Sequence, residues 1–295
     1  MTKTTSSSLQ STKKRWSDLF LQTLIYLSAA FTVLLLVSII VYVLVKGTSK
    51  VNISFLTSVT SVLKGTVGIA GNIVNTLMIV LITMLIVTPV GVGAAIYLNE
   101  YAKPGKLVRL IEFATETLSG IPSIIFGLFG MMFFGQTLGL GYSILTGSLT
   151  LVLMVLPLVT RNTQEALKTV PNSYRHGAIG LGAGKWYTIR TILIPSALPG
   201  IITGVILSVG RIVGESAALL FTAGSAKTLP KTIAGLFNKI FQSGGTLTTQ
   251  LYLSATSEGD FETAFGIAVV LLILVFVINL CTKALAAKFD VRRKK

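Results

Sequence analysis

Chemically versatile side chains are scarce in this chain: its 295 residues include one histidine, one cysteine and 10 acidic groups, against 25 Lys and Arg. The lone Cys281 excludes a disulfide framework within the chain, and its place in the last apolar run predicts a buried, inert thiol. One histidine leaves few candidates for general acid–base work. No group of His, Cys and carboxylates has the spacing of a metal site, so no metal, other cofactor or catalytic residue is expected. The stretch Gly180-Leu-Gly-Ala-Gly-Lys185 imitates a nucleotide-binding loop. It is excluded because Trp186 stands where a Ser or Thr would meet magnesium and no glycine lies five residues before Gly184.

Charge itself is missing from long stretches. Residues 19–45, 65–99 and 117–160 carry none, and about 20 apolar residues suffice to cross a bilayer. With 52% hydrophobic residues and a mean hydropathy of +0.80, a soluble domain is excluded. A net charge of +15 would point to nucleic acid in a soluble protein. Here the basic residues sit between apolar runs and follow membrane topology instead, so no nucleic-acid partner is expected.

The predicted fold is all-α, with six transmembrane helices. They fall at residues 19–45, within 65–99, at 118–134, 144–160, 199–222 and 263–282. The second has a kink or break at Pro89-Val-Gly-Val-Gly93, and the third and fourth form a hairpin around the glycine-rich residues 135–142. Lys13, Lys14 and Arg15 imitate the start of a signal peptide, but the uncharged run after them is too long for one, so the first helix is expected to be retained. With the N-terminus inside, the inner segments hold 18 Lys and Arg and the outer ones 6, which predicts a multi-pass protein of the cytoplasmic membrane with both termini cytoplasmic. The layout is a tail at 1–18, a transmembrane domain at 19–288 with a cytoplasmic loop at about 161–195, and a basic tail at 289–295.

That loop carries Arg161, Lys168, Arg175, His176, Lys185 and Arg190. Pro171-Asn-Ser173 reads as a turn and helix cap, followed by a short helix over about 174–183. Its glycines (Gly177, Gly180, Gly182 and Gly184) weaken the helix and leave a low-relief surface. Either a partner presses on that surface, or the loop is a solvated connector.

Inside the fifth span, Gly200, Gly204, Ser208, Arg211, Glu215, Ala218 and Thr222 fall on one side of a helical wheel. Ile201, Ile202, Val205, Val209, Ile212, Val213 and Leu220 fall on the other. Gly200-x3-Gly204 and Gly210-x3-Gly214 have the spacing that lets helices approach closely. A charge near mid-bilayer costs about 2.5–3.5 kcal/mol, so an idle Arg211 is disfavoured. Glu215, one turn on, is placed to neutralise it. Two uses remain: a structural ion pair that fixes helix register, or an anion site in which the guanidinium fork meets oxyanion oxygens. Glu112 and Glu116 read as a wet helix end, and Asn72 and Asn75 as hydrogen-bonding across helices.

The loop also resembles the ATPase-docking segment of ABC-importer permeases, E-A-A-x3-G-x9-I-x-L-P. His176-Gly-Ala178, Gly182 and Ile192-Leu-Ile-Pro195 stand at that spacing, with His176, Gly177 and Ile194 replacing the Glu, the first Ala and the Leu. Three further stretches are similar to the phosphate-specific permeases of Pst importers, the last of them to the PstA subunit type. They are Pro89-Val-Gly-Val-Gly-Ala-Ala-Ile-Tyr-Leu-Asn-Glu100, Glu116-Thr-Leu-Ser-Gly-Ile-Pro-Ser123 and Arg211-Ile-Val-Gly-Glu-Ser-Ala-Ala-Leu-Leu-Phe-Thr-Ala-Gly224. The resemblance implies an ABC type I importer permease that translocates inorganic phosphate by alternating access and leaves ATP hydrolysis to another subunit. It implies a PstC-like second permease, a PstB-like ATPase dimer and an extracytoplasmic PstS-like phosphate-binding protein as partners. It places ATPase coupling at His176, Gly177, Ala178, Gly182, Ile192 and Pro195, and the substrate pathway at Arg211 and Glu215. The rivals are a permease for sulfate, molybdate or phosphonate, an ion-coupled secondary transporter using Arg211 and Glu215 as a relay, and a scaffold without transport.

Overall fold

The computed structural model describes residues 16–61, 66–230 and 232–289. Apart from Trp16–Asp18 and Phe289, the two expected tails lie outside these residues. The chain divides into two compact units, residues 1–46 and 47–295. In the first, one continuous helix, α1 (Trp16–Gly47), covers the expected first span.

The second unit is built on two long helices, α3 (Ala70–Ile96) and α6 (Ile144–Lys168). Both are free of charge over most of their length, so burial against each other and lipid contact are the two ways their side chains leave water. The main core joins Val87 of α3 to Leu151 and Val155 of α6, all fully buried. Gly91 allows close approach, because a Cβ there would lie 2.8 Å from Cγ1 of Val159. Pro89 lies inside α3 without ending it, so of the expected kink or break there is no break: the helix reaches Ile96 and passes into a π-helical turn, Tyr97–Tyr101.

The third predicted span is not one rod. An amphipathic helix, α4 (Lys106–Ser119), meets α5 (Ser123–Gly130) at 104° across residues 120–122. Pro122 stops α4, since it has no N–H to offer and disfavours helical backbone before it. From α5 the chain continues as a π-helical segment, Met131–Thr137, and then turns tightly through Gly139 and Gly141, whose φ angles are +71° and +57°. Ser143 caps α6, its hydroxyl accepting from the Thr146 N–H at 3.1 Å.

Beyond α6 come α7 (Asn172–Gly180), α8 (Lys185–Thr188), the π-helical turn Ile189–Leu193 and α9 (Ile194–Val213). A short α10 (Ala217–Thr222) follows α9, and the last span is α13 (Phe261–Phe289). Cys281 is exposed on α13, not buried: it lies on the side turned away from the rest of the unit.

At the N-terminal end of α3 several short elements gather: α2 (Ile53–Thr57), an antiparallel hairpin of β1 (Val59–Ser61) and β2 (Thr66–Ile69), α11 (Ile233–Lys239) and α12 (Leu247–Thr256). The hairpin is a small addition to the expected all-α fold. Asn72 donates to the Gly245 carbonyl at 2.9 Å, and Asn75 to Ala226 and Gly245 at 3.1 Å each, so both tie α3 to loop backbone instead of to another helix. Lys239 is buried, its Nζ donating to Thr228 Oγ1 at 2.6 Å and the Ser243 carbonyl at 2.7 Å, and burial lowers its pKa.

Candidate functional site

Arg211 and Glu215 do not form the predicted ion pair. The i, i+4 spacing requires an unbroken helix, and α9 ends at Val213, with Gly214 as its C-cap. The backbone then turns before α10 begins. Glu215 is buried, and its Oε1 accepts the Ala218 N–H at 3.1 Å, placing a carboxylate at the N-terminus of α10. Its carbonyl accepts from Thr248 Oγ1 at 2.9 Å. Among the described residues no ion pair involves either side chain.

The wheel of the fifth span also needs redrawing. Helices α6 and α9 run antiparallel in close register. A Cβ on Gly200 would sit 2.6 Å from the Ala166 Cβ, and one on Gly204 would sit 2.7 Å from the Asn162 Cβ. Gly200-x3-Gly204 therefore performs the predicted close packing. Gly210 meets nothing within 4 Å, so the second glycine pair does not pack within this chain. Ser208 is buried with the aliphatic residues Val209, Ile212 and Val213, whereas Arg211 is exposed.

This register carries Arg211 past Pro157 and Leu158 into a cavity of about 320 Å³. Its walls are α4 (Thr115, Leu118, Ser119), the bend and α5 (Ile121, Phe126), α6 (Met154, Pro157, Leu158, Arg161, Asn162) and Arg211 of α9. Two guanidiniums thus share one space. Asn162 also lines it, and its Nδ2, buried near Gly204 at the α6–α9 contact, has no hydrogen-bond partner. The recess next to it, of about 200 Å³, also includes Arg161, together with Glu112, Glu116, Glu165 and Lys168.

The sequence places Arg161 and Asn162 at the start of a polar loop. Helix α6 runs on to Lys168 because neither Gly nor Pro lies between Arg161 and Pro171. The missing helix-stop signal was visible, but the first charge after 44 uncharged residues marked a membrane edge instead. Glu112 and Glu116 were expected at the mouth of a span and stand on α4, facing the same recess as Arg161.

In the loop, α7 starts at Asn172 after Pro171, with no side-chain cap from Ser173. Gly182 closes it. At φ +80° its N–H donates to the Ile179 carbonyl at 2.9 Å, while the Ala183 N–H donates to the Ala178 carbonyl at 3.0 Å. Those two bonds are the Schellman ending of a helix, which needs glycine at the left-handed position. The spacing from Ala178 to Gly182 thus has a physical cause: the alanine supplies the acceptor and the glycine the turn. Ala178 is the buried residue of α7, while His176 and Gly177 are exposed. Ile192, half-buried, packs against the cluster of Ala166, Leu167, Ile189, Leu193 and Ala197, and Pro195 opens α9. Around them Ile179, Leu181, Trp186 and Tyr187 are exposed, Leu181 to 91%.

Residues 88–295 match the family described as binding-protein-dependent transport system inner membrane component. The chain belongs to this family. Among curated relatives, the probable ABC transporter permease protein YqgI of Bacillus subtilis is 37% identical over 269 residues, which cover 87% of this chain and 90% of the relative. The phosphate transport system permease protein PstA of Mycobacterium leprae is 37% identical over 201 residues, covering 68% and 64%. A solved bacterial alginate ABC transporter in complex with a pentasaccharide-bound periplasmic protein has a chain that superposes with a TM-score of 0.69 at 12% identity, covering 95% of this chain and 99% of that one. The permease therefore has the ABC type I importer architecture, and it is the membrane component of such a system, not the enzyme.

Proposed function

We propose that this permease imports inorganic phosphate, with Arg211 in the substrate pathway and residues 176–195 coupling it to an ATPase. The observation that carries the anion reading is the cavity between α4, α6 and α9, where Arg211 and Arg161 stand with no carboxylate among the described residues paired to either. Guanidinium forks match tetrahedral oxyanion oxygens and keep their charge at any working pH. Relatives named as PstA phosphate permeases support phosphate as the anion. Glu215 belongs to the pathway indirectly, by setting the break after which α10 begins.

Coupling rests on His176, Gly177, Ala178, Gly182, Ile192 and Pro195. The exposed Ile179, Leu181, Trp186 and Tyr187 form an apolar surface suited to a protein partner. That partner is a PstB-like ATPase dimer, with a PstC-like second permease beside this one and a PstS-like phosphate-binding protein on the opposite side of the membrane. Both termini are cytoplasmic, residues 19–288 are the transmembrane permease domain, and the flanking segments are tails.

The test is reconstitution of the four components in liposomes, measuring accumulation of labelled phosphate against sulfate and molybdate. Phosphate should accumulate only with ATP hydrolysis. Preference for another oxyanion would replace phosphate as the substrate, and flux driven by an ion gradient without ATP would overturn the importer reading.

A further inference from the structure

The loop carries one side chain whose bonding goes beyond a surface charge. Arg175 of α7 donates through Nη2 to Glu100 Oε1 at 2.7 Å and through Nε to both Glu100 oxygens at 3.3 Å. The rest of its fork turns to the C-terminal end of α6. Nη2 donates to the Leu167 carbonyl at 3.1 Å, and Nη1 donates to the Val170 carbonyl at 3.0 Å and to Asn172 Oδ1 at 3.2 Å. All five N–H groups of the guanidinium are used. Glu100 lies in the π-helical turn that ends α3, its side chain 8% exposed, and it also accepts from Asn99 Nδ2 at 2.7 Å. Nearby, Lys185 Nζ stands 4.7 Å over the ring of Tyr101, the next residue of that turn.

Helix α7 otherwise touches α8 and the π-helical turn Ile189–Leu193, neither of which belongs to α3 or α6. Ala178 is its buried residue, and an alanine methyl fixes neither angle nor height. The orientation of α7 against α3 and α6 therefore depends on Arg175. Those two helices contribute the wall of the Arg211 cavity (α6) and its main packing neighbour (α3).

We propose that the Arg175–Glu100 ion pair is a rigid strut that makes α7 move with the α3–α6 pair, so that force delivered to the loop reaches the cavity. This rests on the reading of the loop as the ATPase contact. Arg175 and Glu100 are positioning residues, since neither lies at the cavity nor on the exposed apolar surface.

The experiment uses the complete reconstituted complex and reads phosphate imported per ATP hydrolysed. Glu100→Gln keeps an acceptor and leaves the carbonyl bonds of Arg175 to α6 in place. It should assemble and hydrolyse ATP at the parent level while imported phosphate per ATP falls about fivefold or more. Arg175→Gln also loses the bonds to Leu167 and Val170 and should fall at least as far, and the double variant should be no worse than Arg175→Gln alone, because Glu100→Gln removes part of the same link. Parent-level import per ATP in Glu100→Gln overturns the strut. So does loss of import that merely follows loss of assembled complex, which is a structural role. Gly182→Arg serves as the separate control on docking: if it still retains the ATPase subunit on purification, the docking reading fails; if it loses the subunit while Glu100→Gln stays fully coupled, only the strut fails.

Discussion

Replacing Arg211 by glutamine separates an anion-binding group from a structural charge, and the geometry makes the single substitution decisive. Had Arg211 been paired with Glu215, its removal would strand a buried carboxylate at a cost of about 3–5 kcal/mol, and lost transport would be confounded with lost folding. Glu215 instead keeps its bond to the Ala218 N–H whatever stands at 211. Removing a charge from a membrane helix also lowers the cost of insertion, by up to about 2.5–3.5 kcal/mol on insertion scales. Arg211→Gln should therefore insert and assemble as the parent does. What it loses is a charged fork in the cavity. Hydrogen bonds to charged groups contribute about 1.5–3 kcal/mol each, so a lost bidentate contact of about 3 kcal/mol weakens anion binding roughly a hundredfold. Labelled phosphate uptake, normalised to assembled complex in the membrane, should fall by a comparable factor. Near-parent flux would refute the anion site; collapse of assembly would refute the claim that Arg211 has no structural partner.

Glu215→Gln should be mild by contrast, because the amide oxygen still accepts from Ala218 and only the charge at the start of α10 is lost, a cost of about 1 kcal/mol or less in thermal stability. Gly182→Ala should destabilise α7 by about 1–2 kcal/mol through its φ of +80° alone, since nothing lies within 4 Å of the added methyl; ATPase co-purification should survive it, whereas Gly182→Arg should abolish it. A reporter after Lys295 should face the cytoplasm and one near Gly244 the opposite side, checked by enzyme fusions of opposite compartment preference; both on one side would sink the six-span topology. Asp260 accepts from the Thr263 hydroxyl and, at 3.0 Å, from its N–H, and these bonds lower its pKa. Burial alone would raise that of Glu258, but the Ser254 hydrogen bond and the Lys227 charge outweigh it and leave the pKa lowered. Both therefore stabilise the folded state above the ordinary carboxylate value, and lose that effect as pH falls through the depressed one. Amide exchange over residues 247–263, corrected for intrinsic rates, should be unchanged from pH 7 to 5 and rise below about pH 4.

Most helices were legible because hydropathy reports burial in lipid or protein directly, and the uncharged runs at 19–45 and 65–99 correspond to α1 and α3. Their ends were less so. Charge marks where the membrane stops, while helices stop at Pro and Gly, and for α6 these differ by two turns, which hid Arg161 and Asn162. The turn after Gly214 depends on α10 packing against α5, where a Cβ on Gly127 would lie 2.8 Å from the Ala218 Cα, a contact no local pattern encodes. Hence the spacing of Arg211 and Glu215 was readable and their pairing was not. The short helix of the loop was legible from the turn at Pro171, and its Ala178-to-Gly182 spacing matches the local hydrogen-bond pattern that ends it. The Arg175–Glu100 contact joins residues 75 positions apart, and nothing in either neighbourhood announces it.

The bend at residues 120–122 constrains how the chain enters the membrane during synthesis. Beyond it lie 8 α-helical and 7 π-helical residues, about 22 Å at 1.5 Å per residue, against a hydrocarbon core of about 30 Å. That segment is too short to cross the bilayer as a free-standing helix. Its packing partners, Thr150 of α6 and Ala218 of α10, emerge from the ribosome later. Insertion as a hairpin with α6 is therefore the expected route, and a chain halted before residue 144 should leave the segment accessible to a water-soluble thiol probe at an introduced cysteine.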